Sequence, residues 1–381
     1  MVSKWPGKTV IGLTGNIGTG KSVVRRMLEH LGAFGIDADA LSHRAIAKGA
    51  PGYSQVVTQF GRWILNADGE IDRQRLGKLV FSDPYALKIL EDIVHPLVSQ
   101  AVDFLVSRTK KTVIVIEAIK LLESDLKDRS DSIWVVYVPE KIQIERLVTR
   151  RKMDEAEAIQ RIRSQSPQVI KMGAANVVIN NDGSVEGTWK QVLRHWQKIV
   201  PTTIQTVEAP VARVQTITGE LSVTRGNPRN SEEIAAVINR LRPNGHRYTR
   251  NDIMEAFGEK AFLLLRAGEK SVGILGWQVE NLVSRTTDML MEQGLQFEKA
   301  IPLMIDEMEN ASRELQCEVS LVFLYPSLAS NEKIWERLGY EKRTPETLGV
   351  RAWMEAARDS KPGDTQLFFK KLRVDRILRP I

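Results

Sequence analysis

The chain has 381 residues, more than the roughly 50–250 that share one hydrophobic core, so two domains are expected. Hydrophobic residues make up 43% and charged residues 27%, and no apolar run reaches the roughly 18 residues of a membrane span, so a disordered chain and a membrane partner are excluded. The net charge of +7 is spread over doublets such as Arg25-Arg26, Lys110-Lys111 and Arg150-Arg151, so small polyanions suit it better than nucleic acid, which is not expected as a partner.

Lys4 and Lys8 precede no apolar leader, and the lone Cys317 excludes an intramolecular disulfide framework and a cysteine-rich zinc site. A cytoplasmic protein is therefore expected. The apolar, largely β-branched run Thr9, Val10, Ile11, Leu13, Thr14 predicts a buried parallel strand. Gly15 to Ser22 follow it as G-x-x-x-x-G-K-[ST], a phosphate-binding loop. Its glycines let backbone amides wrap a polyphosphate, and the next helix offers its positive end to the anion. Gly15, Asn16, Ile17, Gly18, Thr19, Gly20, Lys21, Ser22 and Val23 are thus expected to bind a nucleoside triphosphate, with Lys21 on the β- and γ-phosphates and Ser22 on Mg²⁺.

A helix over Val23 to Leu31 is expected to end at Gly32, and Phe34 to Asp39 to form a strand closing on two carboxylates. In extended backbone, Asp37 and Asp39 would share one face toward the loop, where Asp39 could orient or deprotonate an attacking hydroxyl. His95 precedes Pro96, a pair biased to end a helix. Thr112 to Ile116 predict a strand ending in Glu117, a place from which a carboxylate holds Mg²⁺ through water. Ile133 to Val138 predict another strand, stopped by Pro139, and Glu140 to Arg151 a helix whose Arg146, Arg150 and Arg151 suit a phosphate-binding lid.

The segments LTGNIGTGKS, IDAD, KGAPGYSQVVTQFG, DGEIDRQRLGKLVFSD and IVHP together resemble dephospho-CoA kinase. The resemblance runs on through Glu123, the lid stretch Ile159 to Gln165 and the strand Ala175 to Asn181. It spans about residues 8–200 and implies a P-loop nucleotide-kinase-like parallel sheet with a helical acceptor insertion and a lid. It further implies ATP and dephospho-CoA as partners, Mg²⁺ as cofactor, Asp39 and Lys21 as catalytic residues, Arg146 and Arg150 on ATP, and Thr14, Asp37 and His95 on the acceptor. The sequence departs from that pattern at Asn16 for a glycine, Val23 for a threonine, Ile119 for a proline and Asn176 for an aspartate. The alternatives are another P-loop nucleotide or nucleoside kinase, and a bifunctional or regulatory protein.

After the first domain (1–200), residues 201–218 read as a linker and 219–381 as a second α+β domain. Strands are expected at Leu221 to Arg225, Ala261 to Leu265, Val272 to Gln278, Thr286 to Met291 and Val319 to Leu324. Helices are expected from an Asn230/Glu233 capping box to Leu241, after Thr249 and Asp252, over Phe297 to Leu315 and over Asn331 to Leu338. That order, with SNEKIWERLGYEKRT, resembles a GNAT acyltransferase, which implies an acyl-CoA or CoA ligand. Where that superfamily has an Arg/Gln-x-x-Gly-x-Gly/Ala loop, this chain reads Glu292-Gln293-Gly294-Leu295-Gln296, and Glu292 would repel the anion. The expectation is a GNAT-like domain without an assigned activity, with Tyr325 packed as a loop aromatic.

Overall fold

The structure, a computed structural model, describes residues 5–200, 221–243, 245–280, 282–292, 294–360, 363 and 365–373. The described residues fall into two compact units, one within Met1–Val200 and one within Pro201–Val374. The expected linker 201–218 lies outside the described residues. No helix among them is long and apolar enough to cross a membrane.

The first unit is built on five parallel strands, β1 (Thr9–Thr14), β2 (Phe34–Asp37), β3 (Val113–Glu117), β4 (Ser132–Tyr137) and β5 (Val177–Asn180), in the order β2-β3-β1-β4-β5. Helix α1 (Lys21–His30) crosses from β1 to β2, and α2 (Ala38–Ala45), α3 (Tyr53–Phe60), α4 (Arg73–Ser82) and α5 (Pro84–Arg108) separate β2 from β3. Helices α6 (Glu140–Arg151), α7 (Glu155–Arg163) and α8 (Gln168–Gly173) separate β4 from β5, and α9 (Val185–Ile199) closes the unit. β1 is central because its side chains face helices on both sides of the sheet. Ile11 and Leu13, fully buried, pack with Val24 and Leu28 of α1 and Val192 of α9, each such burial contributing about 1.5–3 kcal/mol.

Two local expectations are corrected. The strand ends at Asp37, which caps α2 by accepting the Ala40 N–H at 2.9 Å, so Asp39 sits in the first helical turn and the extended face shared by the two carboxylates does not exist. A carboxylate at a helix start gains more from the unpaired N–H groups than from one further strand residue. Pro96 does not end a helix either: α5 continues through His95 and Pro96 to Arg108. The apolar face Val94, Val98, Ala101, Val102 and Leu105 stays buried along it, outweighing the backbone hydrogen bond that proline removes.

The second unit is a mixed sheet in the order β11-β12-β10-β9-β8-β7-β6. Its strands are β6 (Leu221–Arg225), β7 (Ala261–Ala267), β8 (Lys270–Glu280), β9 (Val283–Met291), β10 (Val319–Leu324), β11 (Glu341–Arg343) and β12 (Gln366–Lys371). Its helices are α10 (Ser231–Leu241), α11 (Arg250–Ala256), α12 (Phe297–Glu314), α13 (Pro326–Ala329), α14 (Glu332–Arg337) and α15 (Arg351–Ser360). The Asn230/Glu233 capping box does not form; the Asn230 side chain instead closes a box with Asn227 around the turn Pro228–Asn230. β9 and β10 pair in parallel only from Val283↔Val319 to Arg285↔Leu321; beyond that Phe323 N donates to Thr286 Oγ1 at 2.8 Å. This is the α+β class expected of the second half.

Candidate active site

The loop after β1 folds as its residues require. Gly15 (φ 151°) and Gly20 (φ 89°) occupy backbone that a side chain would strain. A Cβ on Gly20 would lie 2.2 Å from Asn181 Nδ2, and one on Gly15 2.5 Å from the Val136 carbonyl. No side chain caps the N-terminus of α1, which leaves that positive end turned to the loop. Inside the loop, Thr19 Oγ1 donates to the Asn16 carbonyl at 2.8 Å and Lys21 Nζ to the same oxygen at 3.3 Å. Val23 packs on the core beneath.

A second layer braces the loop from the strand and helix ends. Asn181 Nδ2 donates to the Thr19 carbonyl at 2.8 Å, while Asn181 Oδ1 accepts from Thr188 Oγ1 at 2.8 Å. Arg146 Nη2 donates to the Asn181 carbonyl at 2.6 Å, and Nη1 reaches the Gly18 and Thr19 carbonyls at 3.5 Å each. Arg150 lies on α6, but its side chain is outside the described residues. From the lid, Gln165 Oε1 accepts the Ile17 N–H at 2.9 Å and the Ser166 carbonyl accepts from Asn16 Nδ2 at 3.2 Å. Asn16, a departure from the glycine pattern, therefore supplies a side-chain tie between loop and lid.

The carboxylates collect at the ends of β2 and β3. Asp37 lies opposite Glu117 in register. Ser22 Oγ donates to Glu117 Oε1 at 2.8 Å and Arg25 Nε to Oε2 at 2.7 Å. Burial alone would raise the Glu117 carboxyl, but the charges of Arg25 and Lys21 and these two hydrogen bonds hold it below the usual carboxylate range. Asp37 moves the other way, pushed up first by burial and then by the charge of Glu117. Asp39 is raised to about 6, chiefly by burial, with Lys21 opposing. Its Oδ2 accepts the Ile119 N–H at 3.1 Å. Thr14 Oγ1 and Lys171 Nζ both donate to the Ile119 carbonyl, at 3.1 and 2.8 Å. Burial brings Lys171 down to about 8.

The structure thus brings Thr14, Lys21, Ser22, Asp37, Asp39 and Glu117 to one edge of the sheet, with Arg146 behind the loop. His95 is half-buried on α5. Sequence reasoning reached Lys171 only as the end of the lid stretch that begins at Gln165, and missed Arg25, Asn181 and the Ile119 N–H as parts of the site. Arg25 was discoverable, since i,i+3 spacing from Ser22 on α1 puts both on one helix face. Asn176, the departure from aspartate, still presents an acceptor: its Oδ1 takes the Ile133 N–H at 2.7 Å.

In the second unit, Glu292 is flanked by Arg240 at 3.1 Å and Lys270 at 2.9 Å, so the repulsion expected from it is neutralised. Tyr325 Oη accepts from Arg242 Nη2 at 3.1 Å, and the Tyr325 ring lies under that guanidinium.

A phosphate loop at the carboxyl edge of a parallel sheet, with a hydroxyl on a carboxylate and a half-buried aspartate beside it, defines a P-loop kinase. Residues 9–187 match the family model described as dephospho-CoA kinase. Over 192 residues the chain is 42% identical to the dephospho-CoA kinase of Carboxydothermus hydrogenoformans, covering 50% of this chain and 93% of that protein. With the dephospho-CoA kinase of Geobacter sulfurreducens it shares 39% over 195 residues, 50% of this chain and 99% of the other. The chain belongs to the dephospho-CoA kinase family. Among solved structures, a Thermus thermophilus protein covers 51% of this chain and 98% of its own length at 30% identity and a TM-score of 0.46. A GNAT-family acetyltransferase from Staphylococcus aureus covers 40% of this chain and 100% of its own, at 15% identity and a TM-score of 0.32.

Proposed function

We propose that the first domain (1–200) transfers the γ-phosphoryl group of ATP to the ribose 3′-hydroxyl of dephospho-CoA, giving coenzyme A and ADP. The observation that carries this is the half-buried Asp39 carboxylate set beside Lys21 at the edge of the phosphate loop. The bond from the γ-phosphorus to the β–γ bridging oxygen breaks, a bond to the 3′-oxygen forms, and the hydroxyl proton passes to Asp39. Lys21 and the amides of Gly15 to Ser22 stabilise the phosphate charge. Thr14, Asp37 and His95 are assigned to the acceptor, Arg146 and Arg150 to the ATP side. Mg²⁺, when bound, would supply charge neutralisation to the phosphates. The Ser22 hydroxyl, exposed yet held by Glu117, fits it, with Glu117 acting through water. Residues 201–218 are assigned as the linker and 219–381 as a GNAT-like domain, which receives no activity.

The test is incubation of the full chain with Mg-ATP and dephospho-CoA. Coenzyme A and ADP should form in equal amounts. Absence of coenzyme A, with another hydroxyl compound phosphorylated instead, overturns the substrate assignment.

A further inference from the structure

One contact in the site has no part in the reaction as written. β2 and β3 stay in register to Asp37↔Glu117, and two residues beyond each strand the Asp39 carboxylate meets the Ile119 peptide. The Ile119 N–H donates to Oδ2 at 3.1 Å and faces Oδ1 at 3.4 Å. On the other side of the Ile119 Cα, the following peptide is fixed by two side chains from separate elements. Thr14 at the end of β1 and Lys171 on α8, both buried, donate to the Ile119 carbonyl at 3.1 and 2.8 Å. A proline here has no N–H to give, so the departure from proline at position 119 creates the donor.

We propose that the Ile119 N–H is a positioning group for Asp39: it holds the carboxylate toward the acceptor hydroxyl, and Thr14 and Lys171 fix residue 119 from behind through its carbonyl. The inference rests on the reading of Asp39 as the base. The N–H occupies lone pairs on one side of the carboxylate and leaves the others for the hydroxyl proton. Because it binds the charged form, it keeps the base ionised at lower pH than burial alone would allow. The charged groups around Asp39 are Lys21 of α1, Asp37 at the end of β2, Glu117 of β3 and, through the Ile119 carbonyl, Lys171 of α8. Burial and the two carboxylates raise it; Lys21 and the Ile119 N–H pull it back.

The test compares the full chain with Ile119→Ala, which keeps the N–H, and Ile119→Pro, which removes it. Two readouts are taken: the pH profile of kcat/KM for dephospho-CoA, and a carbon-13 NMR titration of the Asp39 carboxyl. Relative to Ile119→Ala, Ile119→Pro should move the acid limb and the titration upward by about one pH unit, with KM for ATP unmoved. Superimposed titrations overturn the proposal. Should Ile119→Pro not fold, the α-hydroxy analogue of isoleucine incorporated at 119 replaces the N–H by oxygen with the side chain intact, and the same shift is expected. Asp39→Asn separates the two readings. Retained turnover there defeats the base assignment, whereas collapsed turnover with an unmoved titration in Ile119→Pro defeats only the positioning role.

Discussion

Ser22 Oγ lies 2.8 Å from Glu117 Oε1 and donates to it, joining the first turn of α1 to the end of β3. Arg25, one turn further along α1, holds the other oxygen of the same carboxylate. Glu117 is 4% exposed, so it fixes the hydroxyl that is assigned to Mg²⁺ and is itself kept charged by Arg25 and Lys21. Glu117→Gln should raise the Mg²⁺ concentration needed for half-maximal activity by about 10- to 100-fold, as loss of a partner behind a metal ligand commonly does. Activity measured across a magnesium series at saturating ATP checks this; an unchanged midpoint would show that Glu117 serves only Arg25 and the fold.

Asp39→Asn should cut kcat by about 10²- to 10⁴-fold, the usual worth of a positioned base, while ATP binding followed by calorimetry stays near the wild-type value. The wild-type kcat/KM should fall with one proton below about pH 6, where Asp39 becomes protonated. Stability should respond in the opposite sense. The folded-state value of Asp39 is raised from 3.8 to about 6, so its stabilising contribution is full below 3.8 and is lost as pH rises through 6. Asp39→Asn should therefore melt higher than wild type at pH 7.5, and the gap should narrow toward pH 4. A gap independent of pH would assign the change to packing instead of charge.

Much of this site is legible in the residues alone, for a physical reason. The loop motif carries its own backbone geometry, so Gly15, Gly20, Lys21 and Ser22 announce a phosphate cradle, and strand ends announce where Asp37 and Glu117 sit. Most strands of both units and the long helix Phe297–Glu314 of α12 follow from periodicity in the same way. What the sequence conceals is set by competition or by distance. Asp37 could continue a strand or cap a helix, and only the orphan N–H groups of α2 decide it. Pro96 reads as a helix stop until the buried face of α5 is seen. The ties from Asn181, Lys171 and the Ile119 peptide join residues 52 to 162 positions apart, and no local pattern reports them. The edge strand β11 passes unnoticed because, only three residues long and exposed, it lacks an apolar period.

Arg146 presents its guanidinium to three backbone carbonyls, of Asn181, Gly18 and Thr19. Its first effect is thus on the shape of the loop. Arg146→Ala should lower stability by about 1.5–3 kcal/mol, the range for hydrogen bonds from a charged donor. It should also cost about 10- to 100-fold in kcat/KM for ATP through a misplaced loop. Arg146→Lys should recover part of the stability and little of the turnover, since an ammonium cannot span the same carbonyls. Steady-state kinetics beside thermal melting distinguishes the outcomes; full recovery by lysine would reduce the role of Arg146 to its charge.

Gly20 and Asn181 make the sharpest steric prediction. Gly20 has φ 89°, and a Cβ there would fall 2.2 Å from Asn181 Nδ2, the atom that holds the Thr19 carbonyl. Gly20→Ala combines left-handed backbone, costing about 1–2 kcal/mol for an L-residue, with displacement of that amide. ATP affinity should fall by about 100-fold, since a loop shift of about an ångström is enough to cost that much. Asn181→Ala alone should weaken ATP binding more mildly, because it removes the Thr19 tie and the acceptor for Thr188 but clashes with nothing. The double variant should then be less impaired than the two single losses added together, because the alanine at 181 vacates the space that the new Cβ enters. Calorimetric ATP titration of all four proteins measures that coupling. Strict additivity would mean that the backbone conformation of Gly20 alone, and not its closeness to Asn181, demands a glycine.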